Sequence, residues 1–224
     1  MSELWPWLIL LGLGAYHGVN PAMGWLFAVA LGLQEKSRRA VLQAIPPIAL
    51  GHALSIGIVV SFLWLARASV PEGPLRYGSA AIVFGFALYR LIRSRHPTWV
   101  GMRVGFRDLT LWSFLMASAH GAGLMLVPML LAWPQANGGE PAGRGGHMAQ
   151  AGHLSMPHTP SADSPLHWLA AVGVHSIGYL SVATLVALLV YERLGVGILR
   201  RAWFNLDLLW MIALMVSGAL VILV

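Results

Sequence analysis

The stretch Leu8-Ile9-Leu10-Leu11-Gly12-Leu13-Gly14-Ala15-Tyr16-His17-Gly18-Val19-Asn20-Pro21 decides the fold class. It holds no charged residue and belongs to an apolar run over 5–33, longer than the roughly 20 residues that cross a bilayer as a helix. Within that run Asn20-Pro21 predicts a kink or a break, because proline lacks a backbone N–H and clashes with the preceding turn. His17, one turn before the break, is a polar side chain that a plain apolar anchor does not need.

Composition extends this reading to the whole chain. Of 224 residues, 58% are hydrophobic and 10% charged, whereas a soluble domain carries about 25% charged residues. A soluble chain this apolar has too little polar surface to stay dissolved. Ten tryptophans and 25 glycines suit bilayer helices, where Trp anchors at the interfaces and Gly lets backbones approach. The lack of cysteine excludes disulfides, thiolate metal sites and thiol redox chemistry. The first apolar run has no basic leader segment, so it reads as a span and not as a cleavable signal. The net charge of +6 is accounted for by basic cytoplasmic loops, and no nucleic-acid partner is expected.

Five further runs have span character, over 46–66, 77–92, 109–133, 167–191 and 204–224. Pro46-Pro47 would open the second span at its first turn. The expected fold is all-α, a polytopic membrane protein forming one transmembrane domain of six helices over 1–224. The loops after the first, third and fifth spans hold Lys36, Arg38, Arg39, Arg90, Arg93, Arg95, Arg103, Arg107, Arg193, Arg200 and Arg201, eleven of the 14 basic residues. Arg67, Arg76 and Arg144 lie in the alternate loops. The imbalance places the first set in the cytoplasm and both termini outside, as in a bacterial-type inner (plasma) membrane. The stretch 97–108 mixes Trp99, Val100, Met102, Val104 and Phe106 with Arg103 and Arg107. It reads either as a short amphipathic segment along the interface or as an ordinary basic loop. The segment 134–165 is rich in Gly, Pro and Ser and is expected to be disordered and extracytoplasmic. Its His147, His153 and His158, with Met148 and Met156, suit a flexible metal-collecting tract or a tolerant linker.

The two halves resemble each other. Ala15-Tyr16-His17-Gly18 followed by Met23 corresponds to Ser118-Ala119-His120-Gly121 followed by Met125. Gly51-His52-Ala53-Leu54-Ser55-Ile56-Gly57 corresponds more loosely to Val174-His175-Ser176-Ile177-Gly178. With three helices per half, the second half enters the membrane from the opposite side. The expected architecture is therefore a 3+3 inverted-topology repeat, which places a site near the midplane beside interrupted helices.

His17, His52, His120 and His175 each lie several residues inside a span, well within the bilayer at about 1.5 Å per residue. An unpartnered polar group in hydrocarbon costs several kcal/mol, so these side chains should face inward. Each could be bonded to a neighbouring hydroxyl or carbonyl, but their paired placement favours one shared site. Neutral imidazole suits Ni, Co, Cu, Zn and Fe. Histidine also titrates near neutral pH, which would couple metal movement to protons. Met23 and Met125 are soft neighbours or simple packing. Asn20 could set its amide beside His17 and cap the break at Pro21, and Pro128 suggests a second kink. Ser55, Ser118, Ser176, Tyr16 and Tyr179 flank the histidines and could fix their tautomers. Asp207, the only acid predicted within a span, is either a proton or cation relay or an ion-pair partner of Arg200 or Arg201.

Six helices, two inverted halves and the His17-Gly18-Val19-Asn20-Pro21 break resemble the LysE and NicO group of small exporters, whose layout is also similar to the DsbD membrane domain. The NicO nickel/cobalt exporters pair intramembrane histidines with a His-rich loop, and His17, His52, His147, His153 and His158 are the positions that match this. The acid that nickel/cobalt permeases place shortly after a helix histidine is missing, since His17 is followed by Asn20-Pro21 and His52 by Ser55. The His-rich loop is also assigned outside. Without cysteine, DsbD-type electron transfer is excluded.

No nucleophile motif, P-loop or dinucleotide fingerprint marks an enzyme. The leading expectation is a secondary transporter exporting a transition-metal cation with proton coupling. The alternatives are an exporter of an amino acid or other small organic solute, a haem b-binding electron carrier, and a membrane chaperone or assembly factor. The expected partners are the lipid bilayer and a small cation or solute, with homo-oligomerisation left open.

Overall fold

The computed structural model describes residues 4–92, 105–133, 164–194 and 206–223, with the side chains of the last segment described over 211–222. Every regular element among them is helical. Helix α1 (Trp5–Val19) has a proline in its first turn, where the missing N–H breaks no helical bond. It ends where Asn20 is extended, at φ −69° and ψ 119°, as steric pressure from the following Pro21 dictates. A 3-10 turn, Pro21–Met23, leads through Gly24 into α2 (Trp25–Gln34). The single span expected over 5–33 is thus two helices of 15 and 10 residues.

Helix α3 (Arg38–Ser69) runs for 32 residues, about 48 Å. Pro46 and Pro47 lie inside it, which corrects the start expected at Pro46. The two prolines withdraw donors from the carbonyls of Leu42 and Gln43. Both residues are exposed near the helix start, where other donors can reach those oxygens, so the helix continues through. Helix α4 (Glu72–Ile92) begins five residues before the expected 77, with Glu72 favourably placed against the positive end of the helix.

Helix α5 (Phe106–Ala119) is capped by Gly105 N–H donating to Asp108 at 2.9 Å. Phe106 and Asp108, grouped above with the stretch 97–108, are therefore helical, while 97–104 lies outside the described residues. A 3-10 turn, Leu124–Leu126, joins α5 to α6 (Val127–Leu131) across a 47° bend. Helix α7 (Pro165–Leu189) starts with Ser164 accepting from His167 N–H at 3.2 Å and ends in a π-turn, Val190–Leu194. Ser164 and Pro165 thus belong to a helix start and not to the expected disordered segment. The rest of that segment, with His147, His153 and His158, lies outside the described residues. Helix α8 spans Leu206–Leu223.

Three of these helices are long and apolar enough to cross a membrane, and the bent pair of α5 and α6 makes a fourth. The most extensive packing is α1 on α7, α3 on α5, α4 on α8 and α3 on α7. Small residues set the closest crossings. A Cβ on Gly14 would lie 2.0 Å from the His175 carbonyl oxygen, one on Gly178 2.3 Å from that of Leu11, and one on Gly51 2.2 Å from that of Thr110. This is the small-residue packing that lets membrane helices meet where lipid removes the hydrophobic drive to associate.

The interior divides into two main clusters. One, at the end bearing the α3–α4 turn, includes Leu10, Ile56, Ala117, Leu126, Trp168 and Ala171. The other, at the end bearing the α2–α3 turn, includes Met23, Trp25, Ile48, Tyr179 and Ala183.

Candidate functional site

The histidines lie between these clusters. On α1, His17 falls between Leu10 and Met23; on α3, His52 lies between Ile48 and Ile56; on α7, His175 lies between Ala171 and Tyr179. All three are buried, and so is His120, which terminates α5. The ring centroids of His17, His52 and His175 form a triangle with sides of 5.4, 5.1 and 5.8 Å. His17 meets the other two edge to face, and His52 and His175 are nearly parallel, 8° apart. His120 marks the second break, directly after the last residue of α5.

The break in the first apolar run is held from several directions. Asn20 Oδ1 accepts from Ala22 N–H at 2.9 Å, the cap expected from the sequence. Trp25 Nε1 donates to the Val19 carbonyl at 3.1 Å, satisfying an oxygen freed at the end of α1. Gly24 has φ 120°, a conformation open to glycine and strained for other residues. The Tyr179 hydroxyl donates to the Met23 carbonyl, and its ring stacks on His52 with centroids 3.9 Å apart. Tyr179 therefore joins the break, α7 and one histidine.

His120 is held differently. Its Nδ1 lies 2.8 Å from the Met116 carbonyl. A carbonyl only accepts, so Nδ1 carries the proton. Gly121 then turns with φ 68°.

Several buried polar atoms near this centre lack a hydrogen-bond partner. They are both ring nitrogens of His52, Nδ2 of Asn20 and Oγ of Ser176. Each such group costs about 1–3 kcal/mol when left unmade, so a ligand supplying partners would be favoured here. Among the described residues no three His, Asp or Glu side chains are grouped as the ligands of one ion. The triangle has the spacing of a cluster, but the rings do not converge on one point about 2 Å from each nitrogen.

The expected partners of the histidines sort unevenly. Ser55 Oγ pairs with Ser118 Oγ at 2.8 Å, linking α3 to α5. Tyr16 is partly exposed, while Met23 and Met125 are buried in separate clusters. Asp207 lies in the first turn of α8, its side chain outside the described residues, as are Arg200 and Arg201. The sequence reading missed Ser113, whose Oγ donates to the Ile48 carbonyl at 2.7 Å. It also missed an aromatic group of Trp7, Trp133 and His167, with centroids 4.4 to 5.1 Å apart. His167 precedes His175 by eight residues on the buried face of α7, a two-turn spacing that would have flagged it.

No family model, curated protein or solved structure matches this chain.

Proposed function

We propose that the chain is an integral membrane secondary transporter that exports a transition-metal cation in exchange for protons. The observation that carries this reading is the buried triangle of His17, His52 and His175, with centroids 5.1 to 5.8 Å apart. Imidazole nitrogen is a preferred donor for Ni, Co, Cu and Zn. It binds metal only when unprotonated, so metal and proton compete for the same lone pair. Rotation of the rings about their side-chain torsions would bring three nitrogens toward a common ion.

In this reading α1 with α2, α3 and α4 form one half, and α5 with α6, α7 and α8 form the other, giving six spans as an inverted 3+3 repeat. The packing supports it. Exchanging the halves turns the α1–α7 contact into the α5–α3 contact and leaves the α4–α8 and α3–α7 contacts as they are. Both halves also break one turn or less after a histidine, at Asn20 and at Gly121. The hydrophobic clusters on either side of the histidines then act as the two gates of an occluded state. The Trp7, Trp133 and His167 group caps the gate on the side where both termini face outward.

The test is flux of Ni, Co, Cu and Zn into proteoliposomes under an imposed pH gradient, with His17→Ala, His52→Ala and His175→Ala. One metal should move in the wild type and stall in all three variants. Failure of every metal to bind and to move ends the proposal, and a Soret band in the purified protein would assign the histidines to haem b.

A further inference from the structure

A second site lies away from the histidines, at the end of the molecule bearing the α3–α4 turn. There a cavity of about 790 Å³ is lined by Trp64, Arg67, Glu72, Arg76 and Tyr77, among others. The two guanidinium groups are fixed in place. Arg67 Nη1 donates to the Leu130 carbonyl at 3.1 Å. Arg76 Nε donates to the Val221 carbonyl at 3.0 Å, and its Nη2 to that of Ile222. These bonds use helix C-terminal carbonyls, which carry partial charge only. Among the described residues all the bonds of Arg76 go to such oxygens. Among the described lining residues, Glu72 carries the negative charge and Arg67 and Arg76 the positive ones.

The cavity continues into an apolar groove. Val70 and Leu75 line both. The groove, about 340 Å³, runs between α3 and α4 past Phe62, Gly78 and Ile82 and is floored by Leu124 and Val127. It exists because α4 packs on α8 and touches α3 little, although the two are consecutive in the chain. Phe62 and Ile82 are 69% and 62% exposed, so the groove opens to whatever surrounds the helices.

A cationic mouth joined to an apolar trough between two membrane helices is complementary to one class of molecule. A free anion would match only the mouth, and an apolar compound only the trough. We propose that this is a binding site for an anionic phospholipid, with its phosphate on Arg67 and Arg76 and an acyl chain between α3 and α4. Guanidinium–phosphate bonds hold the headgroup, the two cationic side chains disfavour the ammonium of a zwitterionic headgroup, and the chain fills a groove that lipid would otherwise enter without register.

The test uses the full-length protein in detergent, titrated with phosphatidylglycerol, phosphatidylcholine or inorganic phosphate and read by native mass spectrometry and by melting temperature. Phosphatidylglycerol should bind about tenfold tighter than phosphatidylcholine, and Arg76→Gln should erase that preference. Gly78→Phe is the independent arm, since a Cβ there meets no atom within 4 Å and the residue lines the trough. It should weaken phosphatidylglycerol binding about tenfold while leaving the melting temperature of the lipid-free protein unchanged. Equal affinity for the two lipids, protection by inorganic phosphate alone, or a Gly78→Phe variant that binds lipid like the wild type would each overturn the assignment.

Discussion

The two helix breaks occupy corresponding places in the chain, yet they are built by different physics. The first, from Asn20 to Gly24, is fastened from outside itself, by Tyr179 on α7 and Trp25 on α2 as well as by its own Asn20 cap. The second, from His120 to Leu126, follows the Ser118–Ser55 bond to α3 and turns by local geometry. His120 bonds back to Met116, Gly121 takes a positive φ, and Val59 and Phe86 pack over Gly123 and Gly121. A break tied to other helices by hydrogen bonds holds one position, because moving it strands buried polar groups. A break closed by glycine geometry and apolar contact can shift without that penalty. In the proposed transporter the first break would therefore be the fixed binding side of the centre, and the second the side able to move.

The largest expected effect tests that division directly. Gly24→Ala forces a Cβ into φ 120° and to 2.6 Å from Ile48 Cγ2, a buried core residue. Gly121→Ala meets the edge of the partly exposed Phe86 ring at 2.8 Å, with φ 68° in the left-handed region. Strain plus overpacking should cost about 4 kcal/mol at Gly24 and about 1–2 kcal/mol at Gly121. Melting temperatures in one detergent compare the two, and equal losses would mean that the breaks are equivalent.

Metal affinity ranks next. His17→Ala removes one corner of the triangle and should weaken binding at least a hundredfold, about 2.7 kcal/mol. His120→Ala should cost about tenfold or less, because His120 is already bonded to its own helix. Isothermal titration of the metal that shows flux checks the order, and a reversed order would move the binding side to the second break.

Tyr179→Phe keeps the stack on His52 and deletes only the hydroxyl bound to the Met23 carbonyl. It should cost about 1–2 kcal/mol and raise amide exchange over 20–24. Unchanged exchange there would remove Tyr179 from the fastening of the break.

These residues also show how far the sequence could be read. The apolar runs and Asn20-Pro21 announced helices and the first break because a missing N–H has the same consequence in any context. Pro46-Pro47 misled for a related reason, since the same defect is tolerated where the carbonyls it frees are exposed. Pro128 hinted at the second bend, but the turn is made by Gly121, two residues after the last residue of α5. His17, His52 and His175 were legible as buried polar residues in apolar helices. Their ring orientations were not, because these follow from how α1, α3 and α7 cross. The Tyr179 bond to the Met23 carbonyl joins residues 156 positions apart through a backbone oxygen, which no side-chain pattern encodes. Ser55 and Ser118, read as residues that could fix histidine tautomers, pair with each other across α3 and α5, a contact set by how the two helices cross.

The smallest expected effect isolates the first break most cleanly. Trp25 is 4% exposed and packs in the cluster with Met23 and Ile48, so Trp25→Phe retains most of its apolar contact. What it removes is one N–H donor to the Val19 carbonyl. The loss of this one neutral hydrogen bond should be about 1 kcal/mol. Amide exchange should nevertheless rise at Ala22 and Met23, because the end of α1 and the start of α2 are no longer pinned together. Exchange at Gly121 and Ala122 should not change, since their bonds run to Ser118 and Ala117 of the same helix. A rise of equal size at both breaks would mean that they move as one unit, and the distinction between a fixed side and a movable side would fail.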